Sequence, residues 1–179
     1  KMLYDQALLI RLYARAASAL ATRFDTSRWR MIVGETIDYL ETTMRLPGGA
    51  FAAAEDADSP GPDGANHEGL FTTWTPDEVA AVLGADAAAL CEWYDITAEG
   101  NFEGRSIPNR LHQRARLIRP AAIDDSRRQL FAARELRPRP GRDDKVITEW
   151  NALLIAALAE AGALFGERRW IELATDAAQ

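Results

Sequence analysis

Apolar residues recur at helical spacing near both ends of the chain. From Tyr4 to Ala21, Leu8, Leu9, Leu12, Tyr13, Ala16 and Leu20 leave only a narrow polar stripe of Arg11, Arg15, Ser18 and Thr22. That pattern predicts a helix buried over most of its surface. Asp25 or Ser27 can cap a second helix, with Trp29, Ile32, Val33, Ile37, Leu40 and Met44 facing inward and Arg30, Glu35, Asp38 and Glu41 outward. It stops at Leu46-Pro47-Gly48-Gly49. A third helix is expected from about Val146 to Leu164, ending near Gly166, and a fourth opens around Glu167.

The two ends repeat one another. Ala7-Leu8-Leu9-Ile10 recurs as Ala152-Leu153-Leu154-Ile155, Ala14 and Ala16 match Ala159 and Ala161, and Arg28-Trp29 recurs as Arg169-Trp170. A buried helix, a short turn and an amphipathic helix, met twice, predict helical hairpins over residues 1–45 and 144–179.

Residues 46–143 read as an insertion between the hairpins. Gly49 to Glu55 and Glu68 to Trp74 are short apolar runs around a Gly, Pro and Asp loop, which suggests a β-hairpin with a long tip. Thr75-Pro76-Asp77-Glu78 is a capping-box helix start closed by Gly84. Short helices are expected over Ala85 to Tyr94 and Ser126 to Leu136, a loop over Gly100 to Asn109, and extended chain at Arg137-Pro138-Arg139-Pro140. The second helix of each pair returns to the rim where the first began, so the insertion projects from that rim. Tyr4, Asp5 and Gln6 should then lie beside Glu149, Trp150 and Asn151.

Composition narrows the classes. The chain has 179 residues, 47% hydrophobic and 27% charged, with a net charge of -6, so it reads as a globular domain rather than a disordered segment or a nucleic-acid binder. No apolar run approaches the roughly 20 residues of a membrane span. The lone Cys91 excludes an internal disulfide and a cysteine-rich zinc site. No cofactor or metal is expected, and the setting expected is cytoplasmic.

Several segments resemble one family in order: Lys1-Met2-Leu3-Tyr4-Asp5-Gln6, Glu55-Asp56-Ala57-Asp58-Ser59, Gly100-Asn101-Phe102-Glu103-Gly104, Arg137-Pro138-Arg139-Pro140, and Asp143-Asp144-Lys145 ahead of Trp150-Asn151. The chain resembles the spermatogenesis-associated protein 20 family, whose bacterial members are thioredoxin-domain proteins. The resemblance implies an N-terminal thioredoxin-like domain followed by an α/α toroid of six helical hairpins, an architecture shared with glycosidases and a sugar epimerase. This chain would be an excerpt of that toroid, mainly α, with a small β-hairpin and short helices in a rim insertion. An excerpt of two hairpins leaves oligomerisation open. Ala52-Ala53-Ala54 stands where the family more often has an aromatic residue and a serine.

Glu55, Asp56, Asp58, Asp63 and Glu68 crowd one segment without a Lys or Arg among them. One reading is a carboxylate site for glycoside or sugar chemistry, with Glu55, Asp56 and Asp58 as acid and base candidates and His67 as a proton shuttle. The other is a solvated loop whose acids cap backbone N–H groups or pair with arginines, with Asp63 as a turn residue. An EF-hand is excluded: Pro60 and His67 occupy positions where oxygen ligands belong. The epimerase analogy is weakened because neither His67 nor His112 falls on a predicted toroid helix.

Tyr4, Asp5, Glu68, Asp143, Asp144, Trp150 and Asn151 are candidate substrate binders, through hydroxyl hydrogen bonds and ring stacking. Residues 105–142 hold eleven arginines against three acids but only one aromatic residue, which suits internal pairing or an interface better than nucleic acid. The leading expectation is a carbohydrate-active or sugar-binding toroid. The alternatives are an interaction module for the thioredoxin-like domain and an inactive scaffold.

Overall fold

A computed structural model describes residues 1–114 and 118–179. The chain divides into two compact units, Lys1–Asp56 with Arg142–Gln179, and Ala57–Gly141. Residues 46–56 and 142–143, assigned to the insertion from sequence, therefore fall in the helical unit.

The first unit is built on α1 (Leu3–Leu20), α2 (Ser27–Tyr39), α6 (Thr148–Phe165) and α7 (Arg168–Ala177). Leu3, Ala7, Ile10 and Ala14 recur every three or four residues on α1 and meet Leu154, Ala157, Leu158 and Ala161 of α6 in a single core. The alanines let the two helix backbones approach closely. Asp25 Oδ1 accepts the Ser27 N–H at 2.9 Å just before α2. That helix carries the buried Val33 and Ile37, then widens into a π-turn at Leu40–Met44, closed by the Arg45 N–H on the Leu40 carbonyl. Arg11 and Arg15 of α1 both grip Glu160 of α6. The α6–α7 turn ends at Gly166 in a left-handed conformation, as the sequence suggested.

One expectation for α1 is not met. Leu8, Leu9 and Leu12 stand 51%, 41% and 61% exposed. The helix presents one face to α2 and α6, and two partners cannot cover a surface that is apolar nearly all round.

The anticipated β-hairpin is displaced. Ala54–Glu55 (β1) pairs antiparallel with Arg142–Asp143 (β4) rather than with residues 68–74. Phe51, Ala52 and Ala53 are all buried, so this run is core chain rather than a half-exposed strand with alternating faces. The hairpin that does form lies within the tip: Asp58–Pro60 (β2) against Asn66–Glu68 (β3), with Asp58 opposite Glu68 and Ser59 opposite His67.

The second unit adds α3 (Pro76–Leu83), α4 (Ala87–Tyr94) and α5 (Ala121–Arg134). The capping box is present: the Thr75 hydroxyl accepts the Glu78 N–H and Glu78 accepts the Thr75 N–H. α5 begins five residues before the expected Ser126, one residue after Pro120, whose fixed φ sets the helix entry. Trp74, Val79, Leu90, Trp93 and Ile123 form its core. Of the Glu68 to Trp74 run, only Glu68 is strand, as the last residue of β3; residues 69–72 are turn and Trp74 forms an isolated bridge with Ser106. The guanidinium of Arg137 donates to the carbonyls of Leu70, Phe71 and Thr73 and lies 3.8 Å from the Trp74 ring centroid. Arg105 donates to Thr73 and to Glu78. Much of the arginine excess is thus spent inside this unit.

Candidate functional site

In the first unit the chain gathers at one end of α1 and α6. Met2 bridges Ala54, and Ala54 pairs with Asp143, so the segments leading into both helices lie side by side. Tyr4 and Trp150 meet edge to face with ring centroids 4.8 Å apart. This is the juxtaposition that the repeat implied.

Several candidate residues here have structural partners. Glu55 is 3% exposed, and its carboxylate pairs with the Lys1 ammonium and accepts the Tyr39 hydroxyl at 3.0 Å. Asn151 clamps the chain opposite it: Oδ1 accepts the Phe51 N–H at 2.9 Å and Nδ2 donates to the Phe51 carbonyl at 3.0 Å. Asp143 is held below the usual carboxylate range by the hydrogen bonds of Lys145, and Asp144 by that of Arg142. Asp5 and Asp56 are exposed.

The remaining candidates, Asp58, His67 and Glu68, belong to the second unit, where a hollow of about 360 Å³ opens beside the β2–β3 hairpin. Its lining includes Asp63, His67, Glu68, Phe102, Glu103 and Arg105. His67 Nε2 lies 2.9 Å from both Asp63 carboxylate oxygens, which fixes the ring and draws Asp63 below its ordinary range. With Nε2–H donated to Asp63, Nδ1 is the nitrogen left to accept a proton. Gly61 makes this pairing available. A Cβ there would lie 2.5 Å from His67 Cδ2 and 2.9 Å from Asp63 Oδ1. Ser59 faces His67 across the hairpin, but its buried hydroxyl has no hydrogen-bond partner, so no Ser–His relay is formed.

Asp63 was legible in the sequence only as a turn residue, and Phe102, Glu103 and Arg105 were not singled out as site residues. The Gly100 to Gly104 motif held the available signal: Glu103 adopts a left-handed φ of 48°, a conformation costly for a side-chain-bearing residue. His112 lies elsewhere, exposed and 3.4 Å from Asp95. Among the described residues no group of three His, Cys, Asp or Glu side chains is placed to hold a metal, and no helix is long and apolar enough to cross a membrane.

Over its full length the chain aligns with spermatogenesis-associated protein 20 of Homo sapiens at 31% identity and of Mus musculus at 29%, in each case covering 26% of the relative. An uncharacterized protein of Caenorhabditis elegans is 27% identical, again across the whole chain and 28% of that protein. These matches support the spermatogenesis-associated protein 20 family. The chain spans about a quarter of the length of these curated relatives. No protein-family profile matches it.

Proposed function

We propose that this chain is a sugar-binding, enzyme-like part of a larger helical-hairpin toroid, in a protein that also carries a thioredoxin-like domain and works in the cytoplasm. The observation that carries the reading is the Asp63–His67 pair on a hollow shared with Glu68, Glu103 and Phe102. Carboxylates accept sugar hydroxyls, an aromatic face receives a pyranose ring, and an oriented imidazole moves a proton. The hollow's size lies at the small end of the ligand-pocket range of about 300–1,000 Å³. Asp58 and Glu68 stand opposite one another on the hairpin, so two carboxylate-bearing residues share one face of it. Glu55 and Asn151 act as braces in this scheme, while Tyr4, Asp5, Asp143, Asp144 and Trp150 form a second polar and aromatic rim.

The full-length protein titrated with mono- and oligosaccharides by thermal shift and calorimetry tests this reading. Saturable stabilisation by a sugar, lost in His67→Ala and Glu68→Gln, is expected. No stabilisation by any sugar, or stabilisation that persists unchanged in both variants, overturns it.

The exposure of Leu8, Leu9 and Leu12 favours a second reading, an interaction module for other parts of the full-length protein. Measurable association with the separately made thioredoxin-like domain, weakened by Leu12→Glu, would select it.

A further inference from the structure

The repeat between the two hairpins sets α1 and α6 in correspondence. Ala7 matches Ala152, Leu8 matches Leu153, Leu9 matches Leu154 and Ile10 matches Ile155. At the same offset Leu12 matches Ala157, Ala14 matches Ala159 and Ala16 matches Ala161. Where the two helices meet, they use different parts of this shared pattern. α6 turns Leu154, Ala157 and Ala161 into the core, while α1 turns in Ala7, Ile10 and Ala14. The joint is therefore front to back, not two like faces meeting.

Each helix is left with the face that the other has used. On α1 the counterparts of the buried α6 face are Leu9, Leu12 and Ala16, with Leu8 beside them, and all three leucines are exposed. On α6 the counterparts of the buried α1 face are Ala152, Ile155 and Ala159; Ala152 is exposed and the other two are half-buried. Charge follows the same rule. Arg15 and Glu160, which pair within the chain, occupy equivalent positions, so Arg15 flanks the free face of α1 and Glu160 that of α6. A front-to-back contact between chains brings these opposite charges together.

We propose that the free face of α1 receives the free face of α6 from a second copy of this chain. The contact continues the α1–α6 joint from one molecule to the next and covers the exposed leucines. Being heterologous, it needs no two-fold axis and adds copies in one direction until a ring closes. It rests on the repeat and the helix packing and is independent of the sugar reading.

Sedimentation velocity on the 179-residue chain across micromolar concentrations tests this. Reversible self-association is expected. Leu12→Glu on α1 and Ala152→Glu on α6 should each weaken it at least about tenfold, because each places a charge in an apolar contact. Both positions are exposed, so circular dichroism should match the parent chain. Should Ala152→Glu nevertheless unfold, Ala156→Glu, exposed on the same side of α6, replaces it. Mixed together, the α1 and α6 variants should form a one-to-one dimer and nothing larger, since each retains the face its partner has lost. A parent chain that stays monomeric overturns the proposal, as does association that survives in either variant or a mixture that yields no dimer. A monomeric chain that captures the separately made thioredoxin-like domain, and loses it in Leu12→Glu, gives the α1 face to that domain and overturns the second copy.

Discussion

Tyr4 meets Trp150 edge to face, with their ring planes at 67°. The contact joins the first turns of α1 and α6 and marks the end of the helical unit where the connecting segments gather. Because each ring has other neighbours, the pair is best isolated by a double-mutant cycle. Tyr4→Ala and Trp150→Ala, alone and combined, should show a coupling of about 1 kcal/mol in urea unfolding. Strict additivity would mean that the rings touch without stabilising one another.

Asn151 should behave as a structural clamp. Its 5% exposed amide satisfies both backbone groups of Phe51. Asn151→Ala strands those groups in the core and should cost about 2–3 kcal/mol. Asn151→Asp, which keeps an acceptor but loses the amide donor and buries a charge, should not rescue it. A loss below about 0.5 kcal/mol for alanine, the range of ordinary surface changes, would remove the clamp from the account.

A helix-interior glycine usually gains about 1 kcal/mol on becoming alanine. Gly162 should do the opposite. A Cβ there would sit 2.6 Å from Ile171 Cγ1 and 3.0 Å from the Glu167 carbonyl, against the following turn and helix α7. Gly162→Ala should therefore destabilise by about 1–3 kcal/mol, as overpacking does. A stabilised variant would show that α7 can step back freely.

Asp63 provides a pH test. Hydrogen bonds from His67 and from the Ala65 N–H hold its carboxyl below the ordinary range. A depressed native value means that this contribution to stability is present above the unfolded value of about 3.9 and is lost as pH falls through the native one. Carboxyl carbon-13 NMR should give Asp63 a midpoint below that of a free aspartate, and His67→Ala should move it upward. A midpoint indifferent to His67 would break the proposed pair and, with it, the orientation of the imidazole.

Much of the helical architecture was legible because periodicity reports burial directly. Ala7, Ile10 and Ala14 lie on the inward face of α1, and Thr75 to Glu78 forms the capping box read from four letters. The strands were misplaced because their partners are distant in sequence. Ala54 pairs with Asp143, across the whole second unit, and an apolar run such as Phe51-Ala52-Ala53 looks alike whether it is strand or core loop. In the candidate site, the crowding of acids at 55–68 marked the segment that carries His67 and lines the hollow, but not which acid pairs with that histidine. Asp63 reaches His67 only because the hairpin turns back at Gly61, and Phe102, Glu103 and Arg105 join the hollow from a loop more than thirty residues away. Glu55 failed as a free acid for a similar reason: Lys1 and Tyr39, its partners, are remote along the chain.

Arg137 takes the place of a missing strand. With one side chain it serves three carbonyls between residues 70 and 73 that a β-neighbour would otherwise have to accommodate, while its flat face covers Trp74. A lysine offers no flat fork to do both. The irregular path from the hairpin to α3 is thus pinned at a single rivet, and its order should vanish locally with that residue while the surrounding helices stay folded.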